Sequence, residues 1–316
     1  MYHIIINPAS RSGRGQKYWD QLKPYLEKHQ IPFTAHVSDH SGNIAEIMNN
    51  LTKNLADDSE ILSVIVLGGD GTVNEALQGI SHFDKVALSY IPTGSSNDFA
   101  RDLGISKNPI EALKHVLENP VKHRMDIGCV EYTDCRKLNT LTQKRYFAVS
   151  CGLGYDAAIC QESMYSKIKQ ILNHYGLGKL TYLIIALKQL ACAKPIKAKL
   201  TIENEEPIKL HKLLFLSGMN HQYEGGGFMF APGASDQDGL LDLCCVAGVP
   251  KLKLLRILPT AYKGKHFYFK GVDAYHTAEY RLKTSSPMWL HTDGEVPALT
   301  DEIYVTCLHE ILEIVY

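Results

Sequence analysis

The sequence lacks a segment long and apolar enough to cross a bilayer. Its longest apolar stretch, Leu180 to Ala193, is interrupted by Lys188 and Gln189, and it falls well short of the roughly 20 residues that a membrane-spanning helix needs. The N-terminal residues, Met1 to Ile6, have neither the basic start nor the cleavage site of a signal peptide. We therefore expect a cytoplasmic protein whose contact with membranes is peripheral.

The chain also has almost no net charge and no closely paired cysteines. Its formal net charge is −1 at pH 7, so no global field draws it to nucleic acid, and we expect no nucleic-acid partner. None of the eight cysteines forms a Cys-x-x-Cys pair, which favours free thiols in a reducing compartment. One local exception in charge is Lys251 to Lys270, where six cations stand among Leu, Phe and Tyr. This stretch could face an anionic membrane, and a solvated helix and strand edge explains it equally well.

The patterns of strands and helices indicate two domains. With 316 residues the chain is long enough for two. In residues 1–128 short apolar runs alternate with amphipathic segments, which predicts a doubly wound α/β domain. In residues 129–309 predicted strands follow one another, with helices near 156–193 and 252–262, which predicts a mostly antiparallel sheet domain with attached helices. Residues 310–316 are apolar enough for a final strand, which could return to the first domain.

The most informative motif is Gly68-Gly69-Asp70-Gly71-Thr72, which follows a buried strand and precedes a helix. Three glycines in five residues permit positive φ angles and let the backbone approach a ligand with its N–H groups. The helix N-terminus adds partial positive charge, so this segment is suited to binding phosphate. Asp70 is suited to holding Mg²⁺, directly or through water. A plain tight turn between strand and helix is the alternative.

A second polar loop, Thr93 to Asp98, follows the next strand of the predicted sheet. Open parallel sheets bind ligands outside the carboxyl ends of their strands, so this loop should meet the first one in a single crevice. Ser95 or Ser96 could donate to a phosphate oxygen, and Asp98 is a second carboxylate near the metal. A helix cap is the alternative.

A third loop, Asn7 to Gly15, follows the first strand and precedes a helix predicted over residues 15–29. Arg11 and Arg14 could meet phosphates, and the serines and glycines supply hydrogen-bond donors. The Gly-x-x-x-x-Gly-Lys pattern of a Walker A loop is absent. A solvated loop is the alternative.

Two acidic segments lie in the second predicted domain. His291 to Glu295 ends a predicted strand, and Glu295 could act as a general base toward an acceptor hydroxyl. Ser235 to Leu240 offers carboxylates and carbonyls at the spacing of a small cation loop. A β-turn is the alternative in both places, since Asp-Gly is among the commonest turn pairs.

Together these segments resemble the diacylglycerol kinase catalytic-domain family, which includes sphingosine kinases and bacterial lipid kinases. The match rests on Asn7-Pro8, Gly68 to Glu75, Pro92 to Ala100, Asp126-Ile127-Gly128, Asp238 to Asp242 and Asp293-Gly294-Glu295. These motifs follow the family's order over essentially the whole chain, whose size resembles that of stand-alone bacterial lipid kinases. The resemblance implies ATP in a cleft between an N-terminal domain similar to that of phosphofructokinases and NAD kinases and a C-terminal β-sandwich.

The resemblance also implies roles for individual residues. Those implied to contact ATP are Asn7, Ser10, Arg14, Ser38, Gly68, Gly69, Asp70, Gly71, Thr72, Val73, Asn74 and Ser95. Glu295 matches the family's proton acceptor. A structural Mg²⁺ site is implied at Asp238 and at the carbonyls of Ser235 and Leu240, and an acidic network that organises catalytic Mg²⁺ at Asp70, Asp98 and Asp126.

We therefore expect a kinase that transfers the γ-phosphoryl group of Mg-ATP to a lipid hydroxyl, with diacylglycerol as the leading acceptor and phosphatidic acid as the product. Domain closure would bring Glu295 to the γ-phosphate. The alternatives are a kinase of phosphatidylglycerol or a sphingoid base, an NAD kinase-like enzyme, and a nucleotide-binding protein without turnover. The expected partner is a lipid at the membrane surface. The sequence does not decide whether the chain forms a homodimer.

Overall fold

The structure is a computed structural model that describes residues 1–56, 58–138, 141–165 and 178–316. Both architectures predicted from the sequence are present, an α/β part followed by a mostly antiparallel part. The helical insertion predicted near 156–193 forms two described helices, and its middle, 166–177, lies outside the described residues. Among the described helices, none is long and apolar enough to span a bilayer.

The elements of the first part are β1 (Tyr2–Ile6), α1 (Ser10–Lys28), β2 (Phe33–Val37), α2 (Asn43–Thr52), β3 (Leu62–Gly68), α3 (Asp70–Gly79), β4 (Val86–Pro92), α4 (Asp98–Asp102) and α5 (Pro109–Glu118). Those of the second part are β5 (Lys122–Tyr132), β6 (Gln143–Phe147), β7 (Ser150–Gly154), α6 (Tyr155–Tyr165), α7 (Gly178–Cys192), β8 (Ile196–Ile202), β9 (Ile208–Met219), β10 (Tyr223–Glu224), β11 (Phe228–Met229), β12 (Leu241–Ala247), α8 (Lys251–Ala261), β13 (Val272–Thr277), β14 (Glu279–Thr292) and β15 (Glu295–Val315).

The sheet of the first part is parallel, in the order β2-β1-β3-β4, and both of its faces are covered. On β1, Ile5 packs with the helices α2 and α3, whereas Ile4 and Ile6 pack with α1 and α5. A strand buried on both faces needs this unbroken apolar sequence. The carboxyl ends of β1, β3 and β4 consequently share one edge, where the three polar loops emerge.

The start of α1 differs from the prediction of a loop from Ser10 to Gly15. These residues form the first part of α1, although Arg11 (φ 47°) and Gly13 (φ 88°) leave the regular helical geometry. A Cβ atom placed on Gly15 would lie 2.0 Å from the carbonyl oxygen of Asn7. The glycine therefore lets this helix lie directly against the chain leaving β1.

The second part is antiparallel and is joined to the first by two long strands. The path β13-β12-β9-β7-β14-β15 continues into β4, because the last residues of β15 pair with β4 in parallel. β5 runs antiparallel to β15 along its whole length and crosses between the two parts with it. The apolar core of the second part lies among these strands and includes Phe147, Leu216 and Tyr280.

Candidate active site

The three polar loops at the edge of the parallel sheet are joined by hydrogen bonds. Asn7 Nδ2 donates to Thr72 Oγ1 over 3.0 Å, and the N–H of Thr93 donates to the carbonyl of Gly68 over 2.7 Å. Ser10 Oγ and Thr93 Oγ1 lie 2.7 Å apart and are buried. The crevice predicted from three separate sequence segments is therefore formed by one connected set of backbone and hydroxyl groups.

The glycines of the 68–72 segment are required for close approach rather than for left-handed backbone. Gly68, Gly69 and Gly71 all lack positive φ angles, which differs from the sequence-based expectation. A Cβ atom on Gly94 would lie only 2.8 Å from the Cα of Gly69. The two loops thus touch backbone to backbone, and the N-terminus of α3 opens beside them, where free N–H groups and the helix dipole favour an anion.

Two carboxylates lie at this edge, the partly buried Asp70 and the buried Asp98. Asp70 Oδ2 accepts the N–H of Asp98 over 3.0 Å, and Oδ1 lies 3.4 Å from the hydroxyl of Tyr90. Burial, together with the charge of Asp98, raises the pKa of Asp70 to about 7. Repulsion and desolvation of this kind are relieved by a cation.

Asp98 is held from the second part of the chain. Its Oδ2 accepts the N–H of Gly226 over 2.6 Å, and Arg101 Nη1 lies 3.4 Å from Oδ1. Burial raises the pKa of Asp98, and the Gly226 N–H and the guanidinium oppose the rise. Among the described residues Oδ1 has no hydrogen-bond partner. Two neighbouring carboxylates, one of which has a buried oxygen without a hydrogen bond, form the kind of hard-donor set that Mg²⁺ prefers.

Glu295 reaches the same crevice from the second part of the chain. It follows the two-residue turn between β14 and β15, where Asp293 (φ 50°) and Gly294 (φ 85°) both have positive φ, as a type I′ hairpin requires. A Cβ atom on Gly71 would lie 2.8 Å from Glu295 Oε1. The carboxylate therefore lies over the first turn of α3. The segment forms a β-turn and also places Glu295 at the crevice, so the two interpretations of its sequence are compatible.

Asp293, a residue to which the sequence assigned no role of its own, fixes this turn. Its carboxylate accepts the backbone N–H groups of Ala148 (2.9 Å), Val149 (2.8 Å) and Ser150 (2.9 Å). It also accepts from Asn74 Nδ2 over 2.8 Å. Four donors, one on α3 and three at the connection from β6 into β7, thereby set the position of the hairpin that presents Glu295.

Asn74 is predicted to contact ATP, but its side chain lies at the junction of the two parts. Besides donating to Asp293, it accepts from Arg145 Nη2 over 2.6 Å, and Arg145 Nε donates to Thr292 Oγ1 over 2.8 Å. In the sequence, the amide of Asn74, the guanidinium of Arg145 and the carboxylate of Asp293 are far apart, and their presence alone does not predict that they meet.

A second buried cluster lies beneath the hairpin. His291 Nε2 is 3.1 Å from Asp156 Oδ2 and 3.2 Å from Glu224 Oε1, distances that one metal ion could also span. However, the N–H of Gly294 points at His291 Nδ1 over 3.3 Å, which places the ring proton on Nε2, between the carboxylates. A protonated nitrogen does not ligate a metal, so this trio is best explained as a hydrogen-bonded support for the hairpin.

Four other predicted nucleotide contacts surround the crevice less closely. The side chain of Val73 is buried in the apolar core, so only its backbone can face a ligand. Ser38 is buried at the end of β2, where its N–H donates to the carbonyl of Ile6 over 2.9 Å. Arg14 and Ser95 are exposed.

The predicted cation loop from Ser235 to Leu240 is a tight turn apart from the three loops. Asp238 Oδ1 accepts the N–H of Leu240 over 3.0 Å, and Ser235 Oγ accepts the N–H of Gln237 over 3.3 Å. Each side chain has one oxygen in its own turn, so the second carboxylate oxygen of Asp238 and the backbone carbonyls are the donors left for a cation.

Asp126 lies with this turn. It is fully buried, and its carboxylate accepts the N–H groups of Gly239 (2.7 Å) and Glu310 (2.6 Å). These partners engage both oxygens, whereas Asp98 Oδ1 has no hydrogen bond within the described residues. The structure therefore brings two of the three carboxylates of the predicted acidic network together and gives the third a place at a strand crossing.

Comparison with known families assigns both parts of the chain. Residues 1–130 match the family described as diacylglycerol kinase catalytic domain, and residues 150–315 match the one described as YegS C-terminal NAD kinase beta sandwich-like domain. The mostly antiparallel second part is thus the β-sandwich expected from the resemblance.

Individual relatives agree with these matches. The Bacillus subtilis protein YtlR is 28% identical over 300 residues, covering 95% of this chain and 94% of its own. The diacylglycerol kinase of Bacillus subtilis is 26% identical over 312 residues, covering 98% and 94%. Among solved structures, a diacylglycerol kinase from Bacillus anthracis strain Sterne has a TM-score of 0.69 at 18% identity, covering 100% of this chain and 96% of its own. Yeast NADH kinase has a TM-score of 0.51 at 12% identity, covering 100% and 82%. At these identities the two structures establish the fold alone.

Proposed function

The chain belongs to the diacylglycerol kinase family of lipid kinases, and on that premise we propose that it transfers the γ-phosphoryl group of ATP to a lipid hydroxyl, with diacylglycerol as the first acceptor to test. The observation that carries the proposal is the position of Glu295. Its Oε1 lies 2.8 Å from the Cβ position of Gly71, so a general base from one domain faces the anion-binding helix N-terminus of the other.

Different residues of the crevice would bind the phosphate, accept the proton and position the base in such a transfer. The N–H groups at the start of α3 and the hydroxyls of Ser10 and Thr72 bind and orient phosphate oxygens. Glu295 accepts the proton of the acceptor hydroxyl as that oxygen attacks phosphorus. Asp293 and Asn74 act through Glu295, because they hold its hairpin against α3.

The donor set at Asp70 and Asp98 fits a magnesium ion. Within the described residues Asp98 Oδ1 has an ion pair with Arg101 and no hydrogen bond, and the pKa of Asp70 is raised, so a bound cation would stabilise both carboxylates. We propose that these two carboxylates hold Mg²⁺, which when bound neutralises charge on the phosphate oxygens.

An apolar pocket in the second domain supports a lipophilic acceptor over a dinucleotide. The pocket has a cavity volume of about 130 Å³, and its walls come from α7, β9, β12 and α8 with side chains such as Leu190, Phe215 and Leu254. Its apolar lining suits part of a lipid chain. Tyr155 also lines it, and the next residue, Asp156, contacts His291 beneath the hairpin.

The deciding experiment offers the purified protein Mg-ATP with diacylglycerol, sphingosine, phosphatidylglycerol or NAD, and follows ADP release and the phosphorylated product. We expect turnover with a lipid acceptor that Glu295→Gln lowers by about 10²- to 10⁴-fold. Glu302→Gln is the matched control, because it lies on the same strand, is partly exposed and pairs with Lys283 instead.

The other outcomes separate the alternatives. Turnover with NAD and with no lipid would replace the proposal by an NAD kinase-like activity. ATP binding without turnover of any acceptor would favour a nucleotide-binding protein.

A further inference from the structure

The mouth of the apolar pocket opens on a surface that carries unusually exposed apolar side chains. Leu187 and Leu255 both line the pocket and are 44% and 41% exposed. Leu252, on the same helix as Leu255, is 80% exposed, and Tyr268, in the segment that follows this helix, is 84% exposed. Single exposed apolar residues are common, but a group of them around a pocket mouth indicates contact with an apolar partner.

The same surface is cationic. Residues 251–271 include no aspartate or glutamate, although the whole chain is nearly neutral. Their exposed cations are Lys253, Arg256, Lys263, Lys265 and Lys270. Within the part of the chain that the structure describes, no carboxylate forms an ion pair with any of these five.

Helix α8 presents this combination in one orientation. Its buried side packs Leu254 and Ile257 into the second domain, which leaves Leu252, Lys253 and Arg256 on the outer side. Lys251 Nζ donates to the carbonyl of Ala191 over 2.7 Å. This bond fixes the start of α8 to the end of α7, so the outer side of α8 is continuous with the pocket mouth.

We propose that this surface, defined by Leu252, Lys253, Leu255, Arg256, Lys265 and Tyr268 and called the docking face, binds an anionic lipid bilayer. The docking face pairs cations with apolar side chains, which is the chemistry of the headgroup boundary. A symmetric dimer through the same face would instead place like charges opposite each other. The proposal rests on the proposed function in one respect, since a bilayer is the source of a lipid acceptor.

The test measures docking apart from turnover. Wild type and variants are floated, without ATP, with phosphatidylcholine vesicles that contain or lack phosphatidylserine. We expect the wild type to bind the anionic vesicles, and Lys253→Gln with Arg256→Gln to weaken that binding by roughly thirtyfold. Leu252→Gln with Tyr268→Gln should also weaken it, because both side chains are exposed and their loss leaves the core intact.

The matched control replaces Lys28 and Lys107 by Gln, since both are exposed cations of the first domain. Its vesicle binding should equal that of the wild type. In turnover assays, the docking-face variants should lose activity on diacylglycerol in anionic vesicles and keep wild-type activity on dissolved short-chain diacylglycerol.

Several outcomes would overturn the docking face. These are a wild type that does not float, variants that float like the wild type, and a wild-type dimer that the docking-face variants convert to monomer without any vesicle binding. A wild type that floats in the expected way but phosphorylates neither form of diacylglycerol would uphold the docking face and refute diacylglycerol as the acceptor.

Discussion

The contact between Gly71 and Glu295 allows a prediction in which activity and stability change in opposite directions. Gly71 is the second residue of α3 and does not have a positive φ, so alanine fits the backbone there. Replacing a helical glycine by alanine stabilises a protein by up to about 1 kcal/mol. The free energy of unfolding of Gly71→Ala should therefore equal or exceed that of the wild type.

The new methyl group would instead displace the carboxylate of Glu295, the proposed general base. Ordinary contacts of a Cβ atom begin near 3.4 Å, whereas Glu295 Oε1 would lie 2.8 Å away. The flexible side chain must retreat by about 0.6 Å, which exceeds the tolerance of roughly 0.5 Å for catalytic groups. Since a misplacement of about 1 Å can cost 100-fold, we expect kcat to fall about 10- to 100-fold.

The assay is lipid-dependent ADP release, with thermal unfolding measured in parallel. Glu295→Gln supplies the matched background: if the methyl group acts through Glu295, adding Gly71→Ala to that variant should cost little more. The reasoning fails if Gly71→Ala keeps the wild-type kcat, if its loss is as large in the Glu295→Gln background, or if only the KM for ATP rises.

Two further predictions concern stability. Asn74→Ala should lower the free energy of unfolding by about 2 kcal/mol, because it removes a partner from both Arg145 and Asp293; an unchanged urea midpoint would contradict this. Asp134 is buried, and its hydrogen bonds with Arg136 lower its pKa to about 2 from 3.8. A lowered pKa stabilises the folded state above the unfolded value, so about 2 kcal/mol should be lost between roughly pH 4 and pH 2. Urea titrations across that pH range should show a smaller loss of unfolding free energy for Asp134→Asn than for the wild type. An equal dependence of unfolding free energy on pH in the two proteins would refute the attribution of this loss to Asp134.

The sequence could predict the meeting of the three loops because their positions follow from strand order. Each loop comes directly after an apolar strand, and parallel strands end at the same edge of a sheet. Asp70 and Asp98 therefore meet although 28 residues separate them in the chain. The α/β and mostly antiparallel classes, which rest on the same patterns, are confirmed.

The contacts across the domain junction could not be predicted in this way. Asn74 meets Asp293 across 219 residues. Each stands in a motif named above, but neither motif indicates the other residue as its partner. Gly71 was identified by its spacing, but the side chain that excludes a Cβ atom there belongs to the other domain. Asp126 was grouped with Asp70 and Asp98 by the family resemblance, and in the structure it accepts hydrogen bonds from Gly239 and Glu310.

The strand crossing at Asp126 has a mechanical consequence. The pairing of β5 and β15 shifts register between Leu308 and Leu312, so this irregularity is where the two-stranded ribbon can bend. Glu295 is the first residue of β15, and a strand of this length places it at most about 50 Å from the register shift. Over that distance, a bend of one degree would move Glu295 by about 0.9 Å. Asp126, whose carboxylate accepts the N–H of Glu310 at this irregularity, is therefore expected to limit the bend and with it the position of Glu295.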